Sequence, residues 1–451
     1  FLAPGETKTF SQFWYPIAEI GTVQQATTDL ALHHEVRTTD DGSAEVEIGL
    51  ASTGAHPGAT VRLEDAHGRE TWSEGVDLDP RHPVRRTVVL PSAADGAAVV
   101  VVARDGAELL RRSPDAKVEG TVETAVEPPA PEAVGSVEEL YLVGLHLSQY
   151  RHATRSPLPY WREALERDPD DSRSATALAA AAYGRGELDQ AERLLRRAVA
   201  RTTTWNANPY DGEPHYRLGL VLERLGRHDE AYDAWAKAAW TRAWRAPAHL
   251  AMAYRQCARG AWAEALVLLD SVGRDDSDNL AARDLTVLCL RRLGREDEAD
   301  ERLAATLALD PLDWWARLLS GDVLTCDART ARDLALQLAR AGCLDDALDV
   351  LDTVLGDDRR RGGGQEPLLH YHRADLLERL GRRAEAALAR DRARAVDTTW
   401  CFPHGLDDEA VLRHALDADG DDGTAAGLLG HLLYGADRPD EAIAAWGRAV
   451  A

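Results

Sequence analysis

The chain has 451 residues, 45% of them apolar but only 6% aromatic, and a formal net charge of −24. That length allows two or three domains with proper cores, and the composition suits a helical protein rich in alanine and leucine. With 76 acidic against 52 basic side chains there is no basic face to neutralise phosphates, which argues against nucleic acid as a partner. No apolar run nears the roughly 18 residues of a membrane span.

Cys257, Cys289, Cys326, Cys343 and Cys401 form no CxxC pair and read as reduced, buried thiols of a cytoplasmic protein. The one methionine is Met252, so the chain reads as a fragment, with any signal peptide upstream of Phe1.

Residues 1–20 (FLAPGETKTFSQFWYPIAEI) read as a turn followed by a strand, in which Thr7, Thr9, Ser11 and Phe13 alternate with Lys8, Phe10, Gln12 and Trp14 until Pro16. Such a strand has no partner of its own and is expected to close a sheet lying upstream. Over 21–125, short strand patterns at 30–36, 44–51, 59–64, 71–78, 84–90 and 97–103 alternate with turn residues. They predict a small antiparallel β-sandwich, immunoglobulin-like in size, with Trp72 as a core or cross-strand residue. Modules of this kind serve as spacers or as carbohydrate-contact platforms. Residues 126–136, starting VEPPAPEAVG, predict an extended proline-rich linker.

From residue 137 to 451 one frame recurs: an apolar pair, a small residue, a turn glycine, an alanine five residues later, then a bulky residue and another alanine. RLGLVLERLGRHDEAYDAWAKAAW and LLGHLLYGADRPDEAIAAWGRAVA are two instances. Gly226, Gly260 and Gly294 lie 34 residues apart, the period of a tetratricopeptide repeat. Ala191, Ala231, Ala265, Ala299, Ala347, Ala386 and Ala442 mark close helix crossings. Seven repeats and a divergent first one, 139–169, predict a superhelical solenoid with a concave groove, so the fold class is mostly α, preceded by the β-sandwich. The last repeat reaches Ala451 without a polar cap, which also reads as truncation.

The period slips at three long loops: Trp205–Pro214, Gly356–Gln365 and Val396–Asp408. The middle one, rich in arginine and glycine, reads as flexible. The outer two share a pattern, Thr203-Thr204-Trp205 against Thr398-Thr399-Trp400.

The pieces PGETKTFSQFWYPI, YWREALERDP, NPYDGEPHYRLG, DEAYDAWAKAAW, CFPHGL and LLYGADRPDEAIAAW resemble a bacterial family of tetratricopeptide proteins. Its members carry an N-terminal domain of unknown function that is similar to the galactose-mutarotase sandwich. The resemblance implies that residues 1–20 close that upstream sandwich, that sugar-handling carboxylates lie upstream, and that carbohydrate is the substrate class. An enzyme of this kind would be glycosidase- or epimerase-like, but nothing in this chain forms a catalytic constellation.

Twelve tryptophans stand out among few other aromatics. Trp161, Trp235 and Trp446 share the bulky slot of the repeat and read as core. Trp205, Trp240, Trp244, Trp314, Trp315 and Trp400 fall outside it, and exposed indoles stack on sugar faces or anchor peptides. In the first loop Asn206, Asn208, Tyr210, Asp211, Glu213, His215 and Tyr216 crowd together. Asp211 and Glu213 are the residue types of a glycosidase pair, but two positions apart on one loop they are badly placed to flank a bond. Turn dipeptides and a cap for the helix that Pro214 opens account for the cluster simply. The ligand-contact candidates are therefore Trp205, Asn206, Asn208, Tyr210, Asp211, Glu213, Tyr216, Trp240, Trp244, Trp400, Phe402 and His404. His370-x-His372 and Cys401-x-x-His404 lack zinc spacing, so no metal and no cofactor is expected. Asp345-Asp346 and Asp407-Asp408 read as helix-start charges. The expected role is a recognition array of a carbohydrate-active protein, docking on its upstream domain and offering a groove to a saccharide, protein or peptide. The alternatives are a scaffold binding protein alone, and a contributor to a glycosidase site.

Overall fold

The computed structural model describes residues 11–65, 67–91, 98–113, 126–150, 154–356 and 364–450. Contacts group the chain into two units, Phe1–Val126 and Glu127–Ala451.

In the first unit the alternating runs become strands: β1 (Gln25–Ala26), β2 (Leu30–Thr38), β3 (Ala44–Ser52), β4 (His56–Glu64), β5 (Glu70–Leu78), β6 (Val84–Leu90), β7 (Ala98–Val102) and β8 (Glu108–Arg112). They form two four-stranded antiparallel sheets, ordered β1-β2-β3-β6 and β5-β4-β7-β8. Alternate residues turn inward from both (Leu30, Leu32, Val46, Ile48 and Leu50 against Val61, Leu63, Val99 and Val101), so a single core lies between the sheets. The chain changes sheet after β3, β5 and β6, and without β1 this is the three-plus-four arrangement of immunoglobulin-type sandwiches. Trp72, opposite Leu63 on β4, flanks that core. Two strands had no visible pattern. β1 has two residues, and the edge strand β8 buries only Leu110 fully.

The strand expected in residues 1–20 is not seen where it can be judged. Residues 7–10 lie outside the described part, and residues 11–18 form neither strand nor helix. Instead Ile20 is buried against Ala31 and Ala51 on the outer face of the first sheet, with Tyr15 and Val23 beside it. The Tyr15 hydroxyl donates to the carbonyls of Thr27 (2.8 Å) and Leu30 (3.1 Å). Gly49 makes room for this, since a Cβ there would lie 2.4 Å from the Ile20 oxygen. Ile20 and, in part, Tyr15 and Val23 thus pack on the sandwich, while Phe13, Trp14 and Ile17 remain exposed.

The proline-rich stretch, expected as an extended linker, packs onto the helical unit. The second unit starts at Glu127, and a short 3-10 turn (Pro131–Ala133) is fastened to the first hairpin. Tyr160 donates to the Pro129 carbonyl and Arg167 to that of Val134, whose side chain is buried.

Among the described residues eight helical hairpins follow, the expected number: α1/α2 (Val137–Gln149, Leu158–Arg167), α3/α4 (Ser172–Gly184, Leu188–Thr202), α5/α6 (Glu213–Arg224, His228–Ala238), α7/α8 (Arg242–Ala258, Trp262–Asp275), α9/α10 (Leu280–Arg292, Glu296–Leu309), α12/α13 (Ala328–Arg340, Leu344–Leu355), α14/α15 (Glu366–Arg379, Arg383–Ala395) and α17/α18 (Gly423–Gly435, Pro439–Ala449). Two helices stand outside this scheme, α11 (Trp314–Ser320) and α16 (Gly405–Ala418). The third slip in the repeat period is therefore a loop leading into an unpaired helix. The glycine-rich middle loop falls largely on 357–363, outside the described residues.

The turn chemistry repeats with the sequence. At Gly226 the backbone takes φ +73°, and the next amide, Arg227, donates to the Leu222 carbonyl at 2.9 Å, which closes the first helix. In α17/α18 that left-handed position is held by Asp437, not by Gly435. All seven frame alanines are fully buried at the helix crossings.

Trp161 and Trp235 are core, and Trp446 packs partly buried against the last hairpins. Each has a glycine on the facing helix: a Cβ on Gly144, Gly219 or Gly430 would lie 2.3 Å from the indole of Trp161, Trp235 or Trp446. Gly219→Ala is therefore expected to destabilise the array by about 2 kcal/mol, overpacking outweighing the roughly 1 kcal/mol that alanine gains in a helix. Gly273→Ala, on α8 with nothing within 4 Å of the new methyl, should instead stabilise by about 0.5–1 kcal/mol. Urea denaturation followed by helical circular dichroism checks both, and equal signs would refute the indole-slot account.

Candidate functional site

The Trp205 loop is built by its own polar side chains. The hydroxyls of Thr202, Thr203 and Thr204 donate to the carbonyls of Ala198, Val199 and Ala200 at 3.0, 2.7 and 2.9 Å, ending α4. Asn206 accepts from the Asn208 amide (2.9 Å), and Asn208 accepts from Lys237 on α6 (2.7 Å). Gly212 sits so close to the α6–α7 junction that a Cβ would lie 2.5 Å from the Thr241 hydroxyl and 2.6 Å from the Ala238 carbonyl. On this frame Trp205 and Tyr210 are 90% and 89% exposed. Trp240 is exposed too, with the Lys237 ammonium 5.1 Å from its ring centre. Tyr216 and Trp244 stack on each other at 5.2 Å, partly buried against the neighbouring hairpins, and so belong to the packing.

Asp211 and Glu213 are occupied at the start of α5. Asp211 accepts from the Glu213 amide (2.9 Å), and Glu213 pairs with Arg217 one turn on (2.6 Å). His215 behind them is buried; that burial, helped by Lys237, lowers its pKa despite the opposing charge of Asp211.

The Trp400 loop has a different construction. Asp397 accepts from the Thr399 amide, and Trp400 takes a left-handed φ of +66° against Gly364. Cys401 and Pro403 are buried, while Trp400 (72% exposed), Phe402 and His404 face solvent. The Trp400 and Phe402 rings meet edge-on at 6.4 Å. The shared Thr-Thr-Trp thus recurs in two unlike turns, and no hydrogen bond, ion pair or ring contact joins the loops among the described residues.

Sequence reading missed the role of α16, the helix after the second loop. Asp407 and Asp408 do stand in its first turn, as helix-start charges should, with Glu409 next to them, but the repeats hold all three from several sides. Asp407 pairs with Arg224 of α5 (2.6 Å) and Arg340 of α12 (2.8 Å). Asp408 is fully buried, bonded to the His372 imidazole of α14 (2.7 Å), Arg332 of α12 (3.1 Å) and its own helix's leading amide, His404 (2.9 Å). Glu409 pairs with Arg438, in the α17/α18 turn, which also donates to the Arg185 carbonyl after α3. The array therefore curls back on itself, and α16 bridges hairpins that lie far apart in sequence. Tyr254 of α7 bonding Gln337 of α12 at 2.6 Å is a second such crossing. The acidic triplet opening an extra apolar run after the loop was the one sequence sign of this.

His370 and His372 are both buried, and Cys401 and His404 face opposite ways. Among the described residues, the group of three metal-ligand types within reach of one another is His33, Glu35 and Glu47 on β2 and β3, which the sequence reading did not single out. His33 Nδ1 lies 2.7 Å from the Thr22 carbonyl, while Glu35 and Glu47 are paired with Arg37 and Arg85. Among the described residues no helix is long and apolar enough to cross a membrane.

Residues 25–111, essentially the sandwich, match the family model of the YphG-like protein, second domain. Among solved structures, the chain is similar to YrrB, described as a TPR protein with an unusual peptide-binding site (18% identity, 40% of this chain and 90% of that one, TM-score 0.34). It is also similar to a tetratricopeptide repeat protein from Parabacteroides merdae (14% identity, 62% and 97%, TM-score 0.39). The human IFIT1 dimer with m7Gppp-AAAA matches at 17% identity, over 70% and 72%, with a TM-score of 0.34. A β-sandwich followed by helical repeats is the order read from the sequence.

Proposed function

We propose that residues 127–451 form a recognition scaffold that engages a polypeptide partner through the exposed aromatic side chains of its two Thr-Thr-Trp loops, and that they do no chemistry themselves. The observation that carries this reading is the pair Trp205 and Tyr210, nearly fully exposed on a loop tied down by hydrogen bonds to α4, α5 and α6. Large rings held in a fixed frame give contact area with little ordering cost, which makes them binding hot spots. The structural roles of Asp211 and Glu213 at the start of α5 count against a glycosidase pair. A saccharide is the second reading, supported by the exposed indole of Trp205 and the polar residues next to it in sequence. In that reading the chain serves a carbohydrate-active protein with a mutarotase-like domain upstream. Five buried cysteines suit a reducing, cytoplasmic setting.

Peptide and glycan arrays probed with the chain and with a Trp205→Ala, Tyr210→Ala double variant test this. Peptide binding should fall about 30-fold or more in the variant, with unfolding midpoints unchanged because both side chains are exposed. Equal binding by both proteins would remove the loop from the site, and binding confined to glycans would replace the polypeptide by a saccharide.

A further inference from the structure

A cavity of about 190 Å³ lies where α12, α14 and α16 meet. Its polar wall is cationic in a chain that is otherwise strongly acidic: Arg224, Arg332 and Arg379 line it, with His372 and His414. Against them stand two lining carboxylates, Asp375 and Asp407. Both are already engaged. Asp407 is shared between Arg224 and Arg340, and Asp375 accepts from His414 at 2.8 Å, which raises the His414 pKa. Behind the wall, Asp408 serves Arg332 and His372, while the exposed Asp333 takes the other side of Arg332.

Arg379 is the cation left least satisfied by this arrangement. Among the described residues its nearest carboxylate, Asp375, is 3.8 Å away, and its one hydrogen bond goes to the Ala339 carbonyl at 3.3 Å. The guanidinium is half exposed, so it meets both the cavity and solvent. The rest of the wall is aliphatic, from Ala335, Leu336, Leu376 and Val411. The volume equals that of roughly six liquid waters at about 30 Å³ each, enough for a charged head on a short carbon skeleton.

We infer that this cavity binds a small organic carboxylate, with the carboxylate on Arg379 and Arg224 and the carbon skeleton against Leu336, Leu376 and Val411. A planar guanidinium matches a carboxylate with two parallel N–H donors, and the aliphatic wall removes the skeleton from water. An inorganic anion would use the first feature only, and a neutral sugar neither. The proposal uses none of the exposed rings on which the scaffold reading rests, so it stands or falls independently of that reading.

Titration calorimetry of the chain with propionate, succinate, benzoate, inorganic phosphate and glucose tests the proposal. Arg379→Gln removes the anchoring charge, and Ala335→Leu fills the cavity without touching a charge. Saturable binding of at least one carboxylate is expected, weakened about tenfold or more in Arg379→Gln and abolished in Ala335→Leu. Glucose should give no heat of binding. The inference is overturned if no carboxylate binds the unmodified chain up to about 10 mM, if phosphate binds tighter than every carboxylate, or if both variants bind as the unmodified chain does.

Discussion

Asp408→Asn is expected to destabilise residues 127–451 by about 3–5 kcal/mol, the range for removing one partner of a buried ion pair. The substitution keeps the shape of the side chain but leaves Arg332, itself buried, without its interior counter-charge, and changes what the His372 imidazole meets. Asp407→Asn, at a half-buried position where Arg224 and Arg340 retain access to solvent, should cost less, about 1–2 kcal/mol. Thermal and urea unfolding of the three proteins measure the difference, and equal losses would mean that α16 is not anchored chiefly through Asp408. The pH dependence adds a second check. Burial pushes the Asp408 pKa up, but the His372 hydrogen bond and the charges of His372 and Arg332 outweigh it, so the carboxyl is held below its ordinary value of 3.8. A depressed carboxyl stabilises the fold above its unfolded value and loses that contribution as pH falls through the folded one. The unmodified chain should therefore lose stability below pH 4 more steeply than Asp408→Asn, which has already lost this interaction.

Asp284→Asn is expected to act in the opposite direction and stabilise the array at neutral pH by on the order of 2–4 kcal/mol. Asp284, on α9, is 1% exposed and faces Asp313, which caps α11 by accepting from the Trp315 amide. Burial, followed by the charge and hydrogen bond of Asp313, raises its pKa from 3.8 to about 9, with Arg283 opposing. Asp284 Oδ1 and Asp313 Oδ2 otherwise lack partners, and a proton held on Asp284 and donated to Asp313 resolves the pair. The folded state then keeps a proton that the unfolded chain has released, so stability falls as pH rises between about 4 and about 9. Asparagine has no proton to lose and should flatten that slope. Melting curves from pH 5 to pH 9 decide it: a flat profile for the unmodified chain would show that Asp284 and Asp313 do not share a proton.

The helical hairpins were legible because each is a local object. A glycine able to adopt positive φ ends the first helix, an alanine permits the close crossing, and the 3.6-residue stripe says which face is buried. All of these recur within about 34 residues. The sandwich strands were legible for a similar reason, period two along β4, β5 and β6, with β7 a continuous valine run buried on both faces. The glycines opposite Trp161, Trp235 and Trp446 were visible as residues but not as partners, because their meaning lies in a facing helix 16 or 17 positions away. In the candidate site, the turn-forming role of Asn206, Asn208 and Asp211 was readable from dipeptides. The likeness between the Trp205 and Trp400 loops was not informative, because three matching residues do not fix the backbone that comes after them.

The sequence by itself determined the class of each unit, the number of hairpins and which small residues hold them together. Only the tertiary structure decided where residues 15–23 and α16 go. Ile20 needed the bare backbone of Gly49, and Asp407, Asp408 and Glu409 needed arginines contributed by α5, α12 and the α17/α18 turn. These pairings join residues as many as 183 positions apart. No periodicity encodes them, because it is the accumulated curvature of the stacked repeats that brings those faces together.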